Sequence, residues 1–311
     1  MLTSDDMLFF SAVSRSSSLA AAARLLNVTP PAVTQRLRSL ETRLGVQLVD
    51  RGTGRIMLTS EGELLARRSI GVLNEVEAVT EELQERRGVV SGHLHVAGPT
   101  GFGRRHIAPL VAQFHRRHPQ VSISLDLSDN PLRLKPDAWD IVIHIGQLHS
   151  QPYQMAMLAP NDRILCASPD YISRRGTPGS PADLAGHDCL ALRENDEDVT
   201  LWRFQRRDGS SETVRIAGGV SCNDGDVIRD WALSGLGVIL RSEWDVADDL
   251  ASGRLVRLLP DWTPPDAPVV ALLGPRHNRA ARTRYFLESF QRAFTPAPWR
   301  AATASRGSQG G

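Results

Sequence analysis

The stretch SLAAAARLLNVTPPAVTQRLRSLETRLG, residues 18–45, decides the fold of the N-terminal part of the chain. Ser18 suits the cap of a short alanine-rich helix, Leu19 to Leu26, whose small side chains let another helix pack close. Asn27 suits the left-handed residue that ends it. Val28 completes a tight turn, and Thr29 is a good N-cap for a further helix. Pro30 takes that helix's first position, where a missing N–H costs nothing, and Gly45 stops it after Leu44. At about 100° per residue, Val33, Leu37, Leu40 and Leu44 form one narrow stripe that must face inward. Pro31, Gln35, Arg38, Ser39 and Thr42 fall opposite, with Thr34 on one flank and Arg36 and Arg43 on the other. On a lone amphipathic helix such a polar face is merely solvated. Here the helix comes third, after a tight turn from a short helix, which is the order of a helix-turn-helix; its donors can reach base edges and its cations can hold phosphates.

The flanks agree with that reading. A first helix is predicted to start after Ser4, with Asp5 and Asp6 in its first turn and Phe9, Phe10 and Val13 inward, broken by Ser16 to Ser18. Residues 46–58 alternate as a small hairpin, Val46 to Arg51 and Arg55 to Leu58, turned by Gly52-Thr53-Gly54. This would be a wing. Arg51 and Arg55 flank its tip, where they can meet the sugar-phosphate backbone or enter the minor groove, although exposed loop arginines without partners are common. The net charge of +1 hides a local balance of +4 from Arg24 to Arg55 and of −5 from Glu61 to Glu85. A basic block followed by an acidic helix is the pattern of a DNA-contacting module joined to a segment that avoids DNA.

From Ser60 to Arg87 a helical pattern runs for about 28 residues, or about 42 Å, opened by a Ser60 and Glu63 capping box. Leu65, Val72, Val76, Val79 and Leu83 recur in steps of three and four, with Ser69 filling one place. One helix cannot bury that seam alone. It reads as a linker and dimerisation helix, the alternative being packing against the same chain's C-terminal part.

Beyond Gly88 strands and helices alternate: strand His93 to Ala97, helix Gly103 to His118, strands Val121 to Leu127, Ile141 to Ile145 and Arg163 to Ala167, and so on to an amphipathic helix Arg279 to Phe294. About 200 residues of such units suggest two lobes, with crossings near Pro160 and residues 264–268. The division expected is a winged helix-turn-helix over 1–59, a linker helix over 60–88 and a sensor domain over 89–300. Its lobe I would take about 89–162 and 265–300, its lobe II about 163–264, and residues 301–311 would form a mobile tail. No apolar stretch reaches the roughly 20 residues that cross a bilayer, and no secretion signal opens the chain, so a cytoplasmic protein with no membrane partner is expected. Cys166, Cys189 and Cys222 are widely spaced without a CxxC pair, which fits a reducing compartment.

Residues Ser18 to Arg51 and their continuation Leu58-Thr-Ser-Glu-Gly62 resemble the LysR-type transcriptional regulators, with Leu40-Glu41, Leu44-Gly45, Asp50-Arg51 and Thr59 to Gly62 all at that family's spacing. Downstream, Asp140 to Gly146, Ala185 to Cys189, Gly235-Leu-Gly237 and Gly253 to Val256 are similar to the family's effector domain. The resemblance implies an α/β fold with an N-terminal winged helix-turn-helix and two Rossmann-like lobes like those of type 2 periplasmic binding proteins. It further implies a small effector in the interlobe cleft and assembly as a homodimer or homotetramer; with them we expect a carboxylate-bearing effector, a dyad-symmetric promoter site on double-stranded DNA, and contact with RNA polymerase. DNA contacts are implied for Thr29, Pro30, Pro31, Thr34, Gln35 and Arg38, flanked by Arg36, and for Arg51, Arg55 and Thr59 around the wing. Pro30 and Gln35 depart from the commonest pattern, so base preference does not carry over.

For the effector, Pro99-Thr100-Gly101-Phe102-Gly103 follows a strand and opens a helix, so its backbone N–H groups and the Thr100 hydroxyl can hold a carboxylate, or the segment is a plain turn. His144 stands where the family often has arginine, beside Gly146 at the end of a strand expected to point to the cleft. Phe204, Asn223, Asp224 and Asp226 are placed to close on the ligand from lobe II, or the two aspartates simply cap the next helix. An enzyme, a metal protein or a cofactor protein finds no support. The pairs His93/His95 and His115/His118 lack a carboxylate or cysteine at ligand spacing, and no GxSxG, P-loop or HExxH occurs. The competing classes are a thiol-switched regulator and a solute-binding protein, and the second needs a secretion signal and no basic helix-turn-helix.

Overall fold

The computed structural model describes residues 2–50, 56–87, 89–133, 139–148, 154–193, 199–273 and 280–300. The chain divides into two units, Met1–Gly88 and Val89–Gly311.

In the first unit, α1 (Ser4–Ser14) is capped by Thr3, one residue earlier than the sequence suggests. Thr3 and Asp6 form a reciprocal capping box, because Asp6 at the third helical position reaches back to the Thr3 N–H at 3.0 Å. Ser18 caps α2 (Leu19–Leu25) by accepting from the Ala21 N–H at 3.1 Å, and Asn27 takes the left-handed φ of 53°. Recognition-helix candidate α3 (Pro30–Leu44) starts after Thr29, but the Thr29 hydroxyl makes no capping bond. Pro31 at the second helical position has no N–H to offer it. Gly45 ends the helix at φ 71°, which a side chain would strain. Phe9, Phe10 and Val13 meet Ala22, Ala23, Val33, Leu37 and Leu40 in one core, all at most 2% exposed.

The wing ladder pairs β1 (Val49–Asp50) with β2 (Met57–Leu58), in the register Val49 to Leu58 and Asp50 to Met57. Helix α4 (Ser60–Glu85) follows. Its cap is Thr59, not the Ser60 and Glu63 box: the Thr59 hydroxyl accepts from the Gly62 N–H at 3.0 Å and donates to the Gln47 carbonyl at 2.7 Å, while Ser60 donates to Glu61. The register therefore slips by one, and Thr59 ties the helix to the wing. Leu65 and Ala66 pack on the unit's core, whereas Val72, Val76, Val79 and Leu83 are exposed by 44–58%.

The second unit holds two five-stranded sheets. Lobe I is built on β3 (Gly92–Gly98), β4 (Val121–Leu127), β5 (Ile141–Ile145), β6 (Gln154–Ala159) and β15 (Val269–Leu273), in the order β4-β3-β5-β15-β6. Strand β3 runs parallel to both neighbours, as its crossover helix requires. That helix begins earlier than the expected Gly103 and is not uniform. It comprises α5 (Thr100–Phe102), a π turn (Gly103–Ile107) and α6 (Ala108–Arg117). With α10 (Ala281–Ala293) it covers one face through Phe102, Ile107, Phe114, Phe286 and Phe290.

Lobe II places β7 (Arg163–Ala167), β8 (Cys189–Leu192), β11 (Val220–Cys222), β12 (Val238–Ser242) and β13 (Val256–Arg257) in the order β11-β8-β12-β7-β13. Helices α7 (Pro169–Arg175), α8 (Gly225–Leu233) and α9 (Glu243–Ala251) belong to this lobe, and β9 (Leu201–Arg206), β10 (Ser211–Arg215) and β14 (Trp262–Thr263) form a small antiparallel sheet. The chain passes between the lobes at residues 160–162 and 264–268. Asn161, only 2% exposed, pins both passages: its amide donates to the Ala267 carbonyl at 2.7 Å and its Oδ1 accepts from the Trp244 N–H at 3.3 Å. Among the described residues no helix is long and apolar enough to cross a membrane.

Candidate DNA-reading face and effector cleft

On α3 the stripe Val33, Leu37 and Leu40 is 1% exposed, and Pro30, Pro31, Gln35, Arg38, Ser39 and Thr42 are exposed on the other side. Thr29 is exposed at its N-terminus; the half-buried Thr34 turns its hydroxyl back to the Pro30 carbonyl at 3.0 Å. The two flanking arginines, Arg36 and Arg43, each pair with an aspartate of α1. Arg36 pairs with Asp5 at 2.5 Å and lies 4.6 Å over the Phe9 ring; Arg43 pairs with Asp6 at 2.5 Å. Asp5 and Asp6 in the first turn of α1 attract these side chains, so both arginines clamp α3 to α1. Thr59 likewise spends its hydroxyl inside the unit. Arg51 and Arg55 lie outside the described residues.

One residue that sequence reading passed over positions the wing. Glu41, 9% exposed, accepts from the Leu48 N–H at 3.0 Å and the Val49 N–H at 3.4 Å through one carboxylate oxygen. A carboxylate one turn from the end of α3 thus fixes where β1 leaves it. At helical spacing Glu41 falls at the edge of the Leu37, Leu40 and Leu44 stripe, and a carboxylate at that edge was the available signal.

In the second unit, Thr100, Asp129 and Asn223 follow the carboxyl ends of β3, β4 and β11, the end of a parallel sheet where ligands bind. The Thr100 hydroxyl donates to Asp129 at 3.0 Å, and the Asn223 amide of lobe II donates to the other oxygen of the same carboxylate. Arg104 of the π turn reaches Asp226 at 2.7 Å and Asp224 at 3.4 Å. Asp224 also caps α8, accepting from the Asp226 N–H at 2.8 Å, so both readings of that residue apply. Gly101 lines a groove of about 570 Å³ together with Arg104, Asp226 and Arg229.

The other expected effector residues go elsewhere. Phe204 is 1% exposed, because Trp202 and Phe204 alternate inward on β9 and fill the core of lobe II. Phe102 is fully buried in lobe I, with its ring centroid 5.2 Å from Trp244 and 4.8 Å from His106. His144 is 5% exposed, and burial, with Arg163 adding to it, lowers its pKa to about 4, so the ring is neutral near pH 7. Gly146, at φ 116°, donates its N–H to the Pro268 carbonyl at 3.1 Å, and a β-carbon there would lie 3.8 Å from the His144 Nε2. His144 is thus enclosed at the crossing rather than presented on an open surface. Asp129 and Arg104 were not foreseen. The rule about strand carboxyl ends, applied to β4 as it was to β3, would have found Asp129.

Below the cleft a buried ion network holds α8, α9 and β12 together. Asp245, 1% exposed, accepts from Arg229 at 2.7 Å and from Arg241 at 2.8 Å; Asp249 pairs with Arg254 at 2.5 Å. Among the described residues no group of three or more His, Cys, Asp and Glu is placed to hold a metal. His93 instead bonds Ser122 and Ser124 at 2.7 and 3.0 Å, and His115 bonds the Val121 carbonyl at 2.9 Å.

The thiols differ in kind. Burial pushes Cys166 and Cys189 up to about 12, whereas Cys222 is half-buried beside Asn223. A maleimide is therefore expected to label Cys222 in the native protein at neutral pH and the other two only after unfolding. Mass spectrometry of the labelled peptides checks this, and native labelling of Cys166 would contradict the packing of β7.

A winged helix-turn-helix followed by a two-lobed α/β sensor with polar groups converging between the lobes defines a ligand-responsive DNA-binding regulator. The family description "LysR substrate binding domain" matches residues 87–295, and "Bacterial regulatory helix-turn-helix protein, lysR family" matches residues 4–63. The chain belongs to the LysR family of transcriptional regulators, which are not enzymes. It is 34% identical over 290 residues to the HTH-type transcriptional regulator DmlR of Escherichia coli (strain K12), covering 93% of this chain and 94% of that one. It is also 34% identical over 247 residues to the HTH-type transcriptional activator TtdR of Escherichia coli (strain UTI89 / UPEC), covering 79% of each. Among solved structures, CrgA, a LysR-type transcriptional regulator from Neisseria meningitidis, aligns with a TM-score of 0.59 at 28% identity, over 94% of this chain and 99% of that one.

Proposed function

We propose that this regulator acts as a homodimer or homotetramer that sets two α3 helices into successive major grooves of a dyad-symmetric promoter site. The observation that carries this reading is the two-sided character of α3. One edge is sealed in the core, and the opposite edge offers Gln35 and Arg38 to solvent. Arginine reads guanine and glutamine reads adenine by paired bonds in the major groove, and Pro31 with Thr34 adds apolar surface for a thymine methyl. Thr29 and Pro30 approach the backbone at the helix N-terminus; Arg51 and Arg55 of the wing take phosphates. Arg36 and Thr59 position these groups from behind. The exposed Val72, Val76, Val79 and Leu83 edge of α4 supplies the seam between subunits.

The effector in this reading is a small molecule with a carboxylate, seated between Thr100 and Gly101 on lobe I and Asn223 and Asp224 on lobe II. Its binding shifts the angle between lobes and so alters the grip on DNA or the contact with RNA polymerase. The test compares two alanine variants on the promoter and on single-base variants of it. Arg38→Ala is expected to lose about 1–3 kcal/mol at one base position only. Arg51→Ala is expected to weaken all sequences alike and to lower the salt slope by about 1. Equal losses for both variants on random DNA would remove α3 from the recognition role.

A further inference from the structure

The donors of the cleft are already answered from within the chain. Asp129 accepts from the Thr100 hydroxyl of its own lobe at 3.0 Å and from the Asn223 amide of the other lobe, so one carboxylate spans the two lobes. The neighbouring cation is drawn to carboxylates of the chain as well, since one nitrogen of Arg104 reaches both Asp226 and Asp224. A carboxylate arriving from solution therefore finds the Thr100 hydroxyl and one Asn223 N–H already engaged, and it meets the Asp129 carboxylate where it needs to sit.

Accordingly we infer that Asp129 is a resident competitor for the effector: its carboxylate occupies the Thr100 and Asn223 donors that the effector's carboxylate takes, and binding exchanges one for the other and releases the tie between lobes. This rests on the cleft assignment above. Asp129 is attached to the chain at the end of β4, so its carboxylate competes as a tethered group at high effective concentration, whereas a free monocarboxylate is diluted. A lone carboxylate is thus excluded, and only a ligand with further contacts to the two lobes displaces it. The device selects against small bystander acids and leaves the two lobes tied together until displacement.

The experiment uses the full-length protein with acetate as the minimal carboxylate and acetamide as its neutral counterpart, followed by thermal shift at constant ionic strength. In Asp129→Ala the donors are vacated, and acetate is expected to bind at least about tenfold more tightly than in the unsubstituted protein, the worth of one or two bonds to a charged group. Acetamide should gain much less. Adding Thr100→Val and Asn223→Ala to Asp129→Ala is expected to erase the gain. Asp129→Asn keeps the size and the bond from Thr100, so its melting stays near that of the unsubstituted protein and it serves as the folding control. Equal acetate affinity in Asp129→Ala and in the unsubstituted protein overturns the proposal. If the acetate gain appears but a carboxylate effector found by screening binds Thr100→Val and Asn223→Ala as it binds the unsubstituted protein, Asp129 is no competitor, and the fault lies in the cleft assignment.

Discussion

Replacing Asp245 by alanine is expected to destabilise the sensor domain by about 3–5 kcal/mol, because it removes the buried carboxylate that two guanidinium groups share. Asp245 has a fully buried side chain, and its two oxygens accept from Arg229 and Arg241, whose side chains are 21% and 6% exposed. Exposed pairs such as Arg174 with Asp170 contribute far less, since water screens them. The loss should show as a lower denaturation midpoint with an unchanged slope, and the cleft should suffer too, because Arg241 packs on Gly225 at the first turn of α8, beside Asn223 and Asp224. Removing the arginine as well, in Arg241→Met with Asp245→Leu, is expected to recover part of the stability. A single Asp245→Ala variant as stable as the unsubstituted protein would mean that the network is solvated.

The second large effect concerns Gly62. A β-carbon at this position would lie 2.0 Å from the Leu48 carbonyl oxygen and 3.0 Å from its carbon. Alanine in place of glycine ordinarily favours a helix by about 1 kcal/mol. Here the clash with backbone outweighs that gain, and Gly62→Ala is expected to cost about 3 kcal/mol by forcing α4 off the wing. Binding of promoter DNA should fall with it, since Leu48 leads into β1. Thr59→Ala, which removes the cap and the bond to the Gln47 carbonyl without a backbone clash, should cost about 1–2 kcal/mol. Denaturation of the three proteins beside a DNA titration tests the order. A stable, DNA-competent Gly62→Ala variant would separate α4 from the wing.

These two residues show what the sequence can and cannot disclose. The helix-turn-helix is legible because its information is local: the Ser18 cap, Asn27, the paired prolines and Gly45 each act within one turn, and the stripe of Val33, Leu37 and Leu40 repeats at helical spacing. The Thr59 to Gly62 spacing is visible too, but its cause, the close approach of the Leu48 carbonyl, is a contact between elements. Strands β6 and β10 escape notice for a different reason. Gln154 to Ala159 lacks β-branched residues, and Ser211 to Arg215 is mostly polar; both take strand form because neighbouring strands offer them a free edge. The cleft was legible only in part. Thr100, Gly101, Asn223 and Asp224 meet there, each beside a strand end or helix cap. Phe204 was misplaced because an aromatic ring in a short alternating strand faces the core as readily as a cleft. Asp129 and Arg104 find their partners about 94 and 120 residues away along the chain, a relation that no local pattern encodes.

Reading of duplex DNA by the exposed edge of α3 is checked by fluorescence anisotropy of the purified protein on the intergenic fragment upstream of its own coding sequence. A scrambled fragment of equal composition serves as competitor at about physiological salt. Retention of the natural fragment against excess scrambled DNA, with preference lost in a Gln35→Ala, Arg38→Ala double variant that melts normally, is the predicted result. Indifference between the two fragments, or an undiminished preference in the double variant, would contradict it.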